Sequence, residues 1–263
     1  MKKNIVFIIA VKKDGQLKPE YEIGIESWRR WCKKNDVELF LLDQPVLPME
    51  EMHIIWQRYF LFDIYDANGI ESDQTLMVDA DTIVHPDCPN FFEKTEHKYC
   101  LVHDDGSYDW ILRGMEHYSK YVYDGQWFDY WRYGNSGFQI VNNNHRDFFQ
   151  HMRDFYFENR EKLDSWNKGG GREQTLFNFL LQKNNYDINL LSPEWNMFSM
   201  HKKEMFSYNW QDTDGGIAGK DTTPHFIKYS WVWHFTGFPI EQRTSIMKQT
   251  WDLVGYLYEG YEG

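Results

Sequence analysis

The stretch Thr75-Leu76-Met77-Val78-Asp79-Ala80-Asp81-Thr82 joins a run of apolar residues to two aspartates. A short apolar run is typical of a strand that is covered on both faces, as the strands of parallel sheets are. The aspartates follow at the carboxyl end of the strand, the edge at which open α/β sheets bind ligands. Two carboxylates separated by one small residue can share a divalent cation, and hard cations such as Mn²⁺ or Mg²⁺ take oxygen ligands. The stretch therefore predicts a metal site at the end of a buried strand.

The residues on either side of this stretch alternate between strand and helix patterns. Short apolar runs indicate strands, and apolar residues repeated at helical spacing indicate amphipathic helices between them. The predicted strands cover residues 4–11, 37–42, 75–78, 137–141, 188–191 and 231–235, and the predicted helices lie around 21–32, 55–62, 148–156, 176–181 and 247–258. This alternation predicts an α/β fold with a Rossmann-like, mostly parallel central sheet flanked by helices.

The chain is long enough for one such domain, with 263 residues and no linker rich in Pro, Ser or Gly. Residues 201–228 are polar and contain several glycines, which predicts a long mobile loop. No window of the sequence approaches the ~20 apolar residues of a membrane span. The apolar stretch after residue 4 is too short for a signal peptide, so we expect a cytoplasmic protein.

Charge and cysteine content exclude several classes of partner. The net charge of -12 argues against nucleic acid or an anionic membrane as the main partner, because both require a basic surface. Cys32, Cys88 and Cys100 show no metal-binding or disulfide spacing, which predicts reduced thiols.

Aromatic residues are the compositional outlier, at 18% of the chain with 12 Trp and 17 Tyr. Aromatic rings fill protein cores, and their faces also pack against the C–H faces of sugar rings. Residues 108–133 hold a dense aromatic run that no single periodicity assigns to a core. Both a core role and a sugar-contacting role remain open for this run.

A single histidine lies in the apolar segment Trp231-Val232-Trp233-His234-Phe235-Thr236-Gly237. A lone histidine on an apolar face is more often a core residue than a ligand. Imidazole nitrogen is nevertheless a common metal ligand, and the aspartate pair needs further ligands to complete a site. His234 is therefore a candidate third ligand beside Asp79 and Asp81.

Several motifs occur in a fixed order between residues 5 and about 240. They are Trp56-Gln57-Arg58-Tyr59, Val78-Asp79-Ala80-Asp81-Thr82, Tyr133-Gly134-Asn135-Ser136-Gly137-Phe138 and Glu173-Gln174-Thr175-Leu176-Phe177-Asn178, followed by Glu194-Trp195-Asn196 and His234-Phe235-Thr236-Gly237. In this order they resemble the retaining GT-A glycosyltransferases of the glycogenin-like family 8. The resemblance implies a single GT-A domain over residues 1–263. Its nucleotide-sugar-binding half would be residues 1–103, and its acceptor-side half residues 104–263 with a closing C-terminal helix.

The resemblance also implies an activity and a set of site residues. The expected reaction moves a hexose from UDP-glucose or UDP-galactose to a glycan acceptor, with retention of configuration and with Mn²⁺ or Mg²⁺ bound. The metal ligands would be Asp79, Asp81 and His234. The catalytic and sugar-positioning residues would be Arg58, Asn135 and Glu173. The donor would be contacted by Ala10, Val11, Arg58, Asp79, Ala80, Asp81 and Gly237.

Two positions depart from the family pattern. The family continues after its His-x-x-Gly segment into a Lys-Pro-Trp that contacts the diphosphate, whereas here Gly237 is followed by Phe238-Pro239-Ile240. Arg243, Lys220 and Lys228 are candidates for the missing positive charge, and residues 201–228 are a candidate lid over the diphosphate. Glu173 stands where the family has Asp, one methylene shorter.

Other hypotheses fit parts of the sequence. Asp79-Ala80-Asp81-Thr82 satisfies the Asp-x-Asp-x-Thr pattern of haloacid-dehalogenase-type phosphatases, although that family carries this strand near the start of its core domain. A non-catalytic sugar-binding module would explain the aromatic run but gives no joint purpose to the aspartates, Arg58 and His234. Asp104-Asp105, after the apolar Cys100-Leu101-Val102, is an alternative metal pair that lacks the one-residue spacer.

Overall fold

A six-stranded sheet with helices on both faces forms the centre of the computed structural model, which describes residues 2–104, 108–166, 173–207 and 223–258. The strands are β1 (Lys3–Ile9), β2 (Glu38–Leu42), β3 (Ser72–Asp79), β4 (Thr82–Val84), β5 (Tyr99–His103), β6 (Gly134–Val141), β7 (Ile188–Leu191) and β8 (Val232–His234). The order across the large sheet is β2-β1-β3-β6-β5-β7, and β4 pairs with β8 in a separate two-stranded sheet.

The central sheet is mostly parallel, as predicted. β1 runs parallel to β2 and β3, and β5 runs parallel to β7. β6 lies antiparallel between β3 and β5, a position that the sequence pattern did not indicate. Because β6 and β7 come from the second half of the chain, both halves contribute to one sheet.

Seven α-helices are present in the described part of the chain. They are α1 (Pro19–Lys34), α2 (Leu61–Asn68), α3 (Tyr108–Tyr121), α4 (Arg146–Ser165), α5 (Glu173–Lys183), α6 (His225–Tyr229) and α7 (Ile240–Val254). None of the helices in these described ranges is both long and apolar enough to cross a membrane. The three cysteines are free, as predicted, and all three are buried.

Several segments differ from the sequence prediction. The helix predicted around 55–62 is a 3₁₀ helix, Ile54–Phe60, that leads into α2. The loop predicted at 201–228 contains the 3₁₀ helix Lys203–Phe206 and the start of α6, while residues 208–222 lie outside the described residues. The predicted lid and Lys220 therefore lie largely outside the described residues as well. α3 was not predicted, because its aromatic residues mask the helical spacing of its buried ones.

Side chains of β1 alternate between two hydrophobic clusters on opposite faces of the sheet. Ile5 and Phe7 pack into the cluster that also contains residues of α2, α4 and α5. Val6 and Ile8 pack into the cluster formed with α1. This period of two, with both faces apolar, explains why the strand reads as a continuous apolar run.

α1 packs directly on the segment that follows β3. A Cβ atom added at Gly24 would lie 2.3 Å from the carbonyl oxygen of Ala80 and 2.7 Å from that of Thr82. The indole nitrogen of Trp28 donates to the hydroxyl of Thr82 at 2.8 Å. A residue without a side chain is therefore required at Gly24, since the helix touches the backbone of the Asp79-Ala80-Asp81 turn.

Gly24→Ala should therefore destabilise the protein. The added methyl group overlaps backbone oxygens that cannot rotate away, and overpacking of this kind costs about 1–3 kcal/mol. Urea unfolding should show a lower midpoint for this variant. Gly255→Ala is the matched control, because a Cβ atom there meets nothing within 4 Å. Equal stability of the two variants would contradict the close packing of α1.

Candidate metal and sugar site

The pairing of β4 with β8 brings His234 to the two aspartates. Asp79 ends β3, and Asp81 immediately precedes β4. In the β4–β8 ladder Thr82 faces His234, and the backbone N–H of Phe235 donates to the carbonyl oxygen of Asp81 at 2.9 Å. Residues separated by more than 150 positions in sequence are thus held together by a short antiparallel ladder.

The three side chains point their potential ligand atoms at one another. One ligand atom each from Asp79, Asp81 and His234 lies within 4.8 Å of the others. Nε2 of His234 is 3.3 Å from Oδ1 of Asp81 and 3.6 Å from Oδ2 of Asp79. Both ring nitrogens of His234 are buried and neither makes a hydrogen bond, so the imidazole is available to bind a metal ion. Two carboxylates and one imidazole suit Mn²⁺ or Mg²⁺ better than a soft metal.

The space beside this triad is kept open by a glycine. A Cβ atom added at Gly137 would lie 2.3 Å from Cε1 of His234 and 2.9 Å from Oδ2 of Asp79. Any larger residue at this position of β6 would push the imidazole and the carboxylate away. The residues present therefore fit a divalent cation between them.

An arginine binds the outer oxygen of each aspartate. Nη2 of Arg58 donates to Oδ1 of Asp79 at 2.9 Å, and Nη1 of Arg243 donates to Oδ2 of Asp81 at 2.6 Å. The remaining oxygen of each carboxylate faces His234. The two guanidinium groups thus orient the carboxylates, as outer partners of metal ligands commonly do.

These contacts set the protonation states in the cluster. Burial alone would raise the pKa of Asp81, but His234 and Arg243 outweigh it and hold that pKa below its ordinary value. Burial likewise would lower the pKa of His234, but the carboxylates of Asp81 and Asp79 raise it above its ordinary value. Burial, together with the charges of Asp81 and Asp79, raises the pKa of Tyr21 to about 12. Asp81 is therefore ionised at neutral pH, and the phenol of Tyr21 is protonated.

A cavity of about 360 Å³ opens beside the triad. Six of the residues predicted from the sequence line it: Arg58, Asp79, Asn135, Glu173, His234 and Gly237. Asp81 is not among the described lining residues and lies buried against His234, which is one of them. Ala10, Val11 and Ala80 are not among the described residues that line it, and Ala10 and Ala80 are buried. The predicted catalytic and metal residues are thus brought together at one site, whereas Ala10, Val11 and Ala80 do not line its cavity.

Amide side chains form a hydrogen-bond network along one wall of the cavity. Oδ1 of Asn135 accepts from Nδ2 of Asn196 at 3.1 Å, and Nδ2 of Asn135 donates to Asp104 at 3.3 Å. Nε2 of Gln174 donates to the same Asp104 oxygen at 2.9 Å. These hydrogen bonds fix the orientation of the Asn135 side chain, because its amide oxygen accepts and its amide nitrogen donates.

The network also includes Asp104, one residue of the alternative metal pair. The carboxylate of Asp104 accepts hydrogen bonds from the amides of Asn135 and Gln174. Within the described ranges it belongs to no group of three potential metal ligands, whereas Asp79, Asp81 and His234 form such a group. Asp105 lies outside the described residues. The one-residue spacer of Asp79 and Asp81 is what lets both carboxylates face His234.

Glu173 is the first residue of α5, and its side chain is only 4% exposed at the cavity wall. Burial raises the pKa of Glu173; the positive charge of Arg58 lowers it and Asp79 raises it again, and the net shift is upward. The predicted glycine segment before it, residues 169–171, lies outside the described residues. A buried carboxyl with a raised pKa in a cleft is typical of functional sites.

Sequence reasoning missed several lining residues. Gln174 lies in the motif that starts at Glu173 but was given no role of its own, and Asp104 was a candidate only as part of the alternative metal pair, not as an acceptor of amide hydrogen bonds. Trp110 was hidden in the aromatic run, and His201 lies in a segment predicted to be a loop. Of the three candidates for the missing lysine, Arg243 contacts the triad, Lys228 lies exposed on α6, and Lys220 is outside the described residues.

No protein-family model matches the sequence, and no curated protein matches it at the sequence level. Solved structures do resemble it. A glycosyltransferase involved in the glycosylation of the major capsid of PBCV-1 has a TM-score of 0.60 and 11% identity, over 94% of this chain and 99% of that one. The galactosyltransferase LgtC, solved with donor and acceptor sugar analogs, has a TM-score of 0.49 and 13% identity, over 96% and 95%. Mouse xyloside xylosyltransferase 1 has a TM-score of 0.47 and 11% identity, over 90% and 99%.

At identities this low, similarity between structures shows only a shared fold. The reaction has to be inferred from the residues of the site. The central sheet, its flanking helices and the full-length similarity at a TM-score of 0.60 agree with one another. The chain therefore has the GT-A fold of glycosyltransferases.

Proposed function

We propose that the chain is a metal-dependent hexosyltransferase of the retaining type. It would take the hexose of UDP-glucose or UDP-galactose and transfer it to a glycan acceptor. The observation that carries the proposal is the convergence of Asp79, Asp81 and His234 beside a polar cavity, at the carboxyl end of β3. The similarity in fold to a glycosyltransferase supports it.

The leaving diphosphate requires positive charge. A divalent cation held by Asp79, Asp81 and His234 would supply Lewis acidity to the diphosphate oxygens. Arg58 lines the cavity and orients Asp79, so it serves both the donor and the ligand set. Arg243 contributes a second fixed positive charge, which supports it as the replacement for the family's lysine.

The hexose would lie beside the triad, against the part of the cavity wall that holds Asn135 and Glu173. Asn135, locked by Asp104 and Asn196, offers a fixed polar surface for sugar hydroxyls. Glu173 lies in the same cavity, where its carboxylate would stabilise positive charge at the anomeric centre. These two residues therefore act on the sugar, while the triad acts on the leaving group.

Two other functions have less support. A phosphatase of the haloacid dehalogenase type needs a free aspartate nucleophile, whereas one oxygen of Asp79 is bound to Arg58 and the other faces His234. A non-catalytic sugar-binding module needs neither the triad of potential metal ligands nor a carboxyl with a raised pKa.

Hydrolysis of a panel of nucleotide sugars tests the proposal without knowledge of the acceptor. Water slowly replaces the acceptor in such enzymes, so the productive donor releases free sugar. We expect release from a UDP-hexose with Mn²⁺ and none in EDTA. Undiminished release in EDTA, or release of phosphate from a sugar phosphate with no nucleotide present, would contradict the proposal.

Asp81→Ala should remove both Mn²⁺ binding and sugar release, because it deletes one ligand and leaves Arg243 without its partner. Mn²⁺ binding is measured by the loss of the free-ion EPR signal on titration. Asp73→Ala, at an exposed aspartate on the same strand β3, is the control and should bind Mn²⁺ normally. Normal Mn²⁺ affinity in Asp81→Ala would remove this residue from the site.

Glu173→Gln should lower turnover by at least ~100-fold while it raises stability at neutral pH. The raised pKa of Glu173 means that the fold favours its protonated form, so its contribution to stability is lost as the pH rises through the folded pKa. Gln is neutral throughout. The variant should melt at a higher temperature than wild type near pH 8, and the difference should shrink towards pH 4. Glu158→Gln, at an exposed glutamate of α4, should melt like wild type at both pH values. A Glu173→Gln variant with normal turnover would exclude Glu173 from catalysis.

The product should keep the α configuration of the donor. Retention needs either a carboxylate nucleophile or attack from the face that the diphosphate leaves, and the buried Glu173 beside the cavity is compatible with both. NMR of the anomeric proton in the product, recorded before mutarotation, measures the outcome. A β product would show that the resemblance to the retaining family 8 is misleading.

A further inference from the structure

A cluster of aromatic rings lies outside the cavity, and we call it the aromatic platform: the exposed Tyr108 and Trp131 with the half-buried Tyr130, backed by His103. The side chain of Trp131 is 74% exposed and that of Tyr108 is 58% exposed. The rings of Trp131 and His103 are stacked with centroids 6.2 Å apart and planes 21° apart. Tyr130 lies edge-on to Tyr108 at 4.9 Å and to Trp131 at 5.5 Å.

The backbone beneath Trp131 is held firmly despite this exposure. The carboxylate of Asp129 accepts from the backbone N–H of Trp131 at 2.9 Å. The side chain of Gln182 on α5 binds the backbone of Asp129 twice, accepting from its N–H at 2.9 Å and donating to its carbonyl oxygen at 3.0 Å. Because the backbone that carries this large apolar side chain is already fixed, binding a ligand there costs little further conformational entropy of the protein.

The platform lies close to the candidate active site. Tyr130 of the platform and Trp110 pack against the same small hydrophobic cluster of Ile111, Met115 and Tyr133. Trp110 also lines the cavity. A chain molecule whose end enters the cavity beside Trp110 would therefore extend towards the platform.

We propose that the aromatic platform binds the acceptor, and that the acceptor is a neutral oligosaccharide of at least two sugar units. The proposal rests on the proposed function, which supplies the donor side. Exposed aromatic faces match the C–H faces of pyranose rings, and a rigid exposed apolar patch marks a binding surface. The net charge of -12 and the nearby carboxylate of Asp129 disfavour anionic glycans.

Ligand-observed NMR tests the proposal, with maltotetraose, cellotetraose, xylotetraose and mannotetraose as neutral probes and trigalacturonate as the anionic one. At least one neutral probe should bind wild type, and trigalacturonate should not. Trp131→Ala should raise the Kd of the bound probe about tenfold or more, and Trp131→Phe should recover part of the affinity. Gln182→Ala, which releases the backbone without removing a ring, should weaken binding less than Trp131→Ala.

Trp127→Ala is the matched control, because Trp127 is also an exposed tryptophan but has no place in the platform. It should bind the probe as wild type does, and thermal melting should show that all variants are folded. Binding of no neutral probe to wild type, or equal affinities of Trp131→Ala and wild type, would overturn the proposal. A wild-type dimer that Trp131→Ala converts to monomers would assign the platform to a second copy of the chain and overturn it too. Failure of the proposed function is seen separately, as absence of nucleotide-sugar hydrolysis by the unmodified protein.

Discussion

The carboxylates of Asp79 and Asp81 lie side by side at the end of β3, and Asp81 is almost completely buried. Two negative charges held side by side, one of them buried, are costly unless each has a partner, and Arg58 pairs with Asp79 while Arg243 pairs with Asp81. His234 lies between the carboxylate oxygens that the arginines leave free. The two arginines therefore offset the cost of holding the carboxylates together. They also orient the remaining carboxylate oxygens towards His234.

This arrangement explains the positions of elements that are distant in sequence. α7 carries Arg243, the β4–β8 ladder carries His234, and β6 approaches closely because Gly137 has no side chain. α1 can press on the turn between the aspartates only because Gly24 leaves room for two carbonyl oxygens. Asn135 lies on β6, and β6 pairs directly with β3, the strand that ends at Asp79. The sugar side and the metal side of the cavity thus belong to neighbouring strands.

Much of this fold and site was predictable because it depends on local patterns. Continuous apolar runs marked the central strands, and the short spacing of Asp79 and Asp81 marked the candidate metal site. The position of β6 was not predictable, because pairing between distant strands leaves no trace in either strand alone. The choice of Arg243 over Lys220 and Lys228 depends on how α7 docks, and the role of Asp104 depends on amides that approach from β6 and α5. In the aromatic run, buried Tyr118 and Tyr133 belong to the core while Trp131 is exposed, and composition cannot separate the two groups.

The central claim is that Asp79, Asp81 and His234 hold one divalent cation at the diphosphate of a nucleotide sugar. A crystal structure with Mn²⁺ and UDP, with anomalous scattering recorded at the manganese edge, tests it most directly. One anomalous peak is expected in contact with Asp79, Asp81 and His234, with the diphosphate beside it and the uridine in the same cleft. A peak at Asp104 instead, or a diphosphate bound in the cavity with no manganese at the triad, would show that the triad is not the metal site.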